Sequence, residues 1–272
     1  MSQPSGTFEA EGPESNGPPS LHVEGRIATL RLRRPARANR IEAGDIAVLR
    51  AHCLALRAAT DVRAVVLTGT GRHFSAGYDI GSVLRTLGAG QASSAGGNAF
   101  ADMVDAVEAL PQVTVCALNG GVFGGATDLA LACDFRYGVP QTRMFMPAAR
   151  LGLHYYPSGL RRYVSRLGLN AAKRLFLLAE ELEAPELQDI GYLDAIVPPN
   201  ELMPLALATA QTAAAHAPLA SAGMKTALNA LAHGVWDADA VALAEAACLR
   251  SADLREGVAA WAEKRVPQFN GH

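Results

Sequence analysis

Two segments place small residues where backbone N–H groups could hold an anionic oxygen: HFSAGYDI at 73–80 and NGGVFGGATDL at 119–129. Each follows a β-branched run that reads as a buried strand, so each presents amides at a strand exit. Gly124 and Gly125 stand at the start of a short helical pattern, where unpaired N–H groups and the helix dipole favour negative charge. Two such turns suit an enolate, whose oxygen gains charge as it forms. Asp128 lies one helical turn beyond Gly125, with its carboxylate near the same end. As a first-turn acid it equally suits the helix dipole with no catalytic part.

The same residues carry other readings. VVLTGTGRHF at 65–74 opens like a dinucleotide fingerprint, but Phe74 replaces the third glycine and no helix follows at once. HFSAG approaches a nucleophile elbow with Ser75 as nucleophile, yet His73 stands where the sharp turn wants glycine. Taken alone, SAG is a tight turn in which Ala76 and Gly77 permit close packing.

The elements that must position these turns alternate. Arg26 to Leu32 has strand character, RRPARANRI breaks the chain, and a helical pattern runs from about Glu42 to Ala59. A strand over Val62 to Leu67 leads into HFSAGYDI. The stretch LGAGQASSAGGNA reads as a mobile loop, followed by a helix ending near Leu110. Pro111 stops that helix, and Val113 to Leu118 forms the strand before GGVFGGATDLALAC. Alternation of this kind predicts an α/β fold. Beyond about Asn170 the pattern becomes helical only, rich in alanine and punctuated by Pro185, Pro198, Pro199, Pro204 and Pro218. The resulting division is a flexible leader over 1–20, an α/β core over 21–199 and a helical region over 200–272.

Composition excludes several classes. The 272 residues are half apolar, and 24 basic side chains against 26 acidic ones leave no electrostatic footprint for nucleic acid or an anionic membrane. Cys53, Cys116, Cys133 and Cys248 lie far apart with no CxxC pair, so they read as reduced core thiols rather than a metal site or disulfide framework. The leader lacks the basic and apolar regions of a signal peptide, and no apolar run reaches the ~20 residues of a membrane-spanning helix. A soluble cytoplasmic protein is expected.

FSAGYDI, NGGVFGGATDLALACD, MPAARLG and EGVAAWAEKRVPQF, in this order and spacing, resemble the crotonase, or enoyl-CoA hydratase/isomerase, superfamily. The likeness runs from about Leu21 to Phe269, and RPARANRI at 34–41 is similar to that family's RPxxxNA loop. It implies a crotonase-like spiral of ββα units, a C-terminal helical region that drives assembly into trimers or dimers of trimers, and a role in fatty acid metabolism. The substrate would be an acyl-CoA thioester, with coenzyme A entering as part of it and no prosthetic group. Residue by residue, the oxyanion hole would be the backbone N–H of Tyr78 and of Gly125. Ala76, Asp79 and Ile80 would lie along the adenine pocket. Arg37 would meet the coenzyme A phosphates, and Lys264 is either a further phosphate contact, across a subunit boundary, or a solvated lysine.

The departures bear on the reaction. Where a hydratase of this family carries two glutamates that activate and split water, this chain has Asp128 and Ala148. Alanine neither accepts nor donates a proton, so two-carboxylate hydration and simple isomerisation by the second acid are both in doubt. LGLHYYPSG at 151–159 offers substitutes. Tyr155 falls where methylmalonyl-CoA decarboxylase-like members carry a pocket tyrosine, and His154 is a candidate general acid or base, although a structural role fits it better. Arg161 and Arg162 could receive a substrate carboxylate, but a solvated helix face is the favoured reading of this basic pair. The expectation is an acyl-CoA enzyme that stabilises a thioester enolate, with a decarboxylase, a hydrolase or a catalytically silent acyl-CoA-binding protein as rivals.

Overall fold

The computed structural model describes residues 16–79, 81 and 95–272. Among these described residues, nine strands make two sheets. The larger has the order β1-β2-β3-β4-β6-β9, formed by β1 (Ser20–Glu24), β2 (Ile27–Leu32), β3 (Ala64–Gly69), β4 (Val113–Leu118), β6 (Phe135–Gly138) and β9 (Ala195–Ile196). The β1–β2 hairpin is antiparallel, and every later pairing in that sheet is parallel. The smaller sheet joins β5 (Val122–Phe123), β7 (Arg143–Phe145) and β8 (Glu181–Glu183).

The all-apolar run of β3 is explained by cover on both faces. Because side chains alternate along a strand, Val65 and Leu67 join the main core with Leu30, Leu32 and Leu49, while Ala64 and Val66 face the other way. That second face is closed by α6 (Pro199–Ala214), whose Leu202, Ala206 and Ala210 lie against Val115 and Ala117 of β4. Helix α1 (Ala43–Ala58) starts on a reciprocal cap in which the Glu42 amide donates to Asp45. Helices α2 (Ala95–Glu108), α3 (Gly125–Leu131) and α4 (Pro157–Lys173) surround the site. After α5 (Ala184–Asp189) and α6, the chain ends in α7 (Pro218–Ala232), α8 (Ala238–Arg250) and α9 (Ala252–Glu263).

Several expectations are corrected. The region after Asn170 is not helical only, since β8 and β9 fall within it; strands of two and three residues are too short to show a period. Strand β1 carries no signal of its own and exists through pairing with β2. The strand read over Val62 to Leu67 runs two residues later, as Ala64–Gly69. The stretch expected as a mobile loop lies partly outside the described residues, and its end, AGGNA, opens α2.

Candidate active site

The first turn is built by a backbone zipper to the RPARANRI loop. The Ala76 amide donates to the Ala38 carbonyl at 2.7 Å, Ile41 to Gly77 at 2.8 Å and Asp79 to Ile41 at 3.0 Å. Asn39, itself in a left-handed conformation at φ 52°, anchors the zipper by donating to the Thr70 and His73 carbonyls. Gly77 has φ 83°, and a methyl group there would stand 2.4 Å from the Phe123 carbonyl oxygen, so no side chain fits. Ser75 is wholly buried, and its hydroxyl donates to the Asn39 carbonyl and accepts from the Gly77 amide. It is a structural hydroxyl, which removes the nucleophile-elbow reading.

The second turn abuts the first. Gly124 donates to Phe145 at 2.9 Å, and Gly125 opens α3, where an N–H has no carbonyl one turn behind it within the helix. The same methyl group on Gly77 would lie 3.0 Å from the Gly125 nitrogen. Phe100 of α2 packs on Gly125 so closely that a Cβ there would be 2.7 Å from its Cζ. Its ring stands 5.4 Å from that of Tyr78 and 6.3 Å from that of Tyr156.

One helical turn further on, Asp128 is wholly buried in an ionic cluster. Its Oδ2 accepts from Tyr156 Oη at 2.5 Å and from Arg162 Nη1 at 2.7 Å, while Oδ1 has no polar partner among the described residues. Arg162, also wholly buried, reaches Asp105 Oδ1 at 2.6 Å and Glu108 Oε2 at 3.0 Å through Nη2. Arg166 and His233 approach the same Glu108. Burial raises the Asp128 carboxyl above its ordinary value, against the pull of Arg162 and Tyr156. Burial acts the same way on Glu108, but its bond to Arg162, with Arg166 and His233 nearby, overrides it and leaves this carboxyl lowered. For Arg162 burial disfavours the charge, and Asp128 with Glu108 more than restores it.

The residues singled out in the sequence separate into groups. Ala76, Tyr78, Asp79 and Gly125 lie together at the two turns, and Ile80 falls outside the described residues. Asp79 makes an ion pair with Arg40 at 3.3 Å. Arg37 is exposed beside the zipper and pairs with Glu42 at 2.8 Å. Tyr155 stacks on Tyr156 with centroids 4.3 Å apart and reaches Asp128 only through that neighbour's hydroxyl. His154 is exposed, with Nδ1 2.8 Å from the Tyr155 carbonyl, and is not part of the cluster. Lys264 is exposed at the C-cap of α9. Ala148 is buried among apolar side chains. The solvated-face reading holds for Arg161 and is corrected for Arg162, whose charge three carboxylates surround.

Sequence reasoning missed Phe100, Glu108 and the roles of Tyr156 and Arg162. A signal existed in two matched spacings: Asp105 and Glu108 at i, i+3 inside an apolar helical run, and Arg162 and Arg166 at i, i+4 in another.

Comparison with known proteins accords with this geometry. A model of the enoyl-CoA hydratase/isomerase family matches residues 22–272. A carnitinyl-CoA dehydratase from Salmonella arizonae is 31% identical over 261 residues, covering 93% of this chain and 98% of that protein. A short-chain-enoyl-CoA hydratase from Clostridium acetobutylicum is 28% identical over 250 residues, covering 90% of this chain and 94% of that protein. The crystal structure of an enoyl-CoA hydratase/carnithine racemase from Magnetospirillum magneticum superposes with a TM-score of 0.87 at 28% identity, covering 95% of this chain and 97% of the other. The chain therefore belongs to the enoyl-CoA hydratase/isomerase family and has the crotonase fold.

Proposed function

We propose that this enzyme transforms an acyl-CoA thioester through an enolate whose oxygen is held by the amides of Tyr78 and Gly125. The observation that carries the reading is the abutment of the two turns: a single methyl group at Gly77 would touch the nitrogen of Gly125. Donors that belong to rigid backbone meet the developing charge without reorganising, which is where such sites gain most. Coenzyme A would enter as part of the substrate along Ala76, Asp79 and Ile80, with Arg37 and Lys264 toward its phosphates, and no prosthetic group takes part. Two-carboxylate hydration is not the main reaction in this reading, because Ala148 leaves the second acid's place apolar. Among the described residues no helix is long and apolar enough to cross a membrane, and we assign the enzyme to the cytoplasm as a trimer or dimer of trimers.

The test is incubation with enoyl-, malonyl- and β-hydroxyacyl-CoAs, read by mass spectrometry. Water addition or loss, CO₂ loss and thioester cleavage each give a distinct mass change. Gly125→Pro, which deletes one donor, is made together with Phe100→Ala, which clears the place its Cβ would take, and is expected to lower turnover by roughly 10²–10³ relative to Phe100→Ala alone. Binding of the whole panel without any turnover would show an acyl-CoA-binding protein instead.

A further inference from the structure

Asp128 is closed off from any ligand. Arg162 holds one flank of its Oδ2, Tyr156 Oη holds the other at 2.5 Å, and no surface of the residue is exposed. A guanidinium does not give up its proton. Among the described residues, the one group on this carboxylate that can both take and pass a proton is therefore Tyr156, which is only partly buried and has its ring beside Phe100, the side chain that packs on Gly125. We propose that Tyr156 is the catalytic residue that meets the acyl chain, and that it works with Asp128 as a proton relay in which Arg162 is a positioning residue. The proposal rests on the enolate reading above.

The step balances within the site. The C–H bond next to the thioester carbonyl breaks, and its proton forms a new O–H bond at Tyr156 Oη. The tyrosine's original O–H breaks as its proton moves to Asp128 Oδ2. The electron pair of the C–H bond becomes the C=C bond of the enolate, and the charge passes to the thioester oxygen. Tyr156 is neutral before and after, Asp128 changes from carboxylate to acid, and the reverse transfer returns the proton to carbon.

Three further observations support a relay over a free tyrosinate. Burial and the neighbouring Asp128 raise the Tyr156 phenol above its ordinary value, so ionising it alone would set two anions side by side. Burial raises the Asp128 carboxyl too, which makes it a better proton acceptor than an exposed aspartate. Arg162 keeps Glu108 and Asp105 as partners in either protonation state of Asp128. Tyr155 donates to Tyr156 Oη at 3.3 Å and fixes its ring by stacking, and both rings lie over Gly159, where a Cβ would stand 2.4 Å from Tyr155.

The experiment is deuterium incorporation next to the carbonyl of butyryl-CoA in D₂O, followed by mass spectrometry, with butyryl-CoA affinity measured by calorimetry and folding by thermal melting. The unmodified enzyme is expected to exchange. Tyr156→Phe and Asp128→Asn are expected to exchange about 10²–10⁴ times more slowly with affinity within about threefold, and Tyr155→Phe to lose less than about tenfold. Exchange by folded Tyr156→Phe at the unmodified rate overturns the relay and leaves the enolate reading standing. Absence of exchange in the unmodified enzyme overturns the enolate reading itself, and the relay with it.

Discussion

Around α4 the protein buries charge, and along α8 and α9 it exposes apolar surface. Arg162 is wholly inside among three carboxylates, whereas α8 buries none of its thirteen residues and Trp261 of α9 is 88% exposed. Both regions invert the usual partition of charge outward and carbon inward, but for different reasons. A buried charge persists when it is fully paired and serves a site. Apolar side chains left on a surface mark a face that another molecule covers. The comparison predicts that changes near α4 act on folding and catalysis, and that changes at the exposed apolar side chains of α9, such as Trp261, act on assembly.

The strongest way to break that comparison is Arg162→Ala. It leaves Asp128 and Glu108 buried without their shared cation, and losing one partner of a buried pair costs about 3–5 kcal/mol. Urea denaturation is expected to show a loss of that size, or an unfolded product. A loss under about 1 kcal/mol would mean the cluster behaves as a surface ion pair.

Glu108→Gln is expected to cost less, about 3 kcal/mol near neutral pH, since the amide still accepts from Arg162. Its pH dependence sharpens the assignment. The Glu108 carboxyl is lowered in the folded protein, so its stabilisation is present above the unfolded-chain value of about 4.3 and is lost as pH falls through the folded value. Asp128, raised by burial, has the opposite sign: its ionised form is disfavoured in the folded state, and that cost is relieved as it protonates. The stability gap between unmodified protein and Glu108→Gln should therefore narrow on going from pH 7 toward pH 3. A constant gap across that range would assign the loss to packing.

The sequence disclosed backbone features better than side-chain partnerships. Val113–Leu118 emerges as read because a β-branched run with both faces covered needs no partner to be recognised. The glycines at 77 and 125 were legible because their turns admit nothing larger. Arg162 was not, because beside Arg161 it reads as half of a basic pair on a solvated helix face; what separates the two arginines is acids 34–57 positions away. The choice between Tyr155 and Tyr156 was hidden for another reason. They are adjacent at the entry to α4 with their rings stacked and their hydroxyls in contact, and only the folded position of Asp128 decides which hydroxyl meets it.

The smallest effect on the fold is expected from Trp261→Asp, and it tests the other half of the comparison. Leu219, Cys248, Leu249, Val258 and Trp261 line one continuous apolar groove of about 490 Å³, so the exposed side chains form a patch rather than scattered points. Isolated chains seldom leave so much contiguous carbon in water, and the proposed trimer or dimer of trimers would cover it with other copies of the chain. Light scattering of the unmodified protein is expected to give the mass of a trimer or hexamer, and Trp261→Asp to shift it toward the monomer. The stability of the dissociated chain should change by no more than about 0.5 kcal/mol, as for other surface substitutions. A monomer for the unmodified protein at micromolar concentration would refute the assembly. An unchanged mass for Trp261→Asp together with a large loss of chain stability would show that this face serves the fold of a single subunit, and the contrast with α4 would disappear.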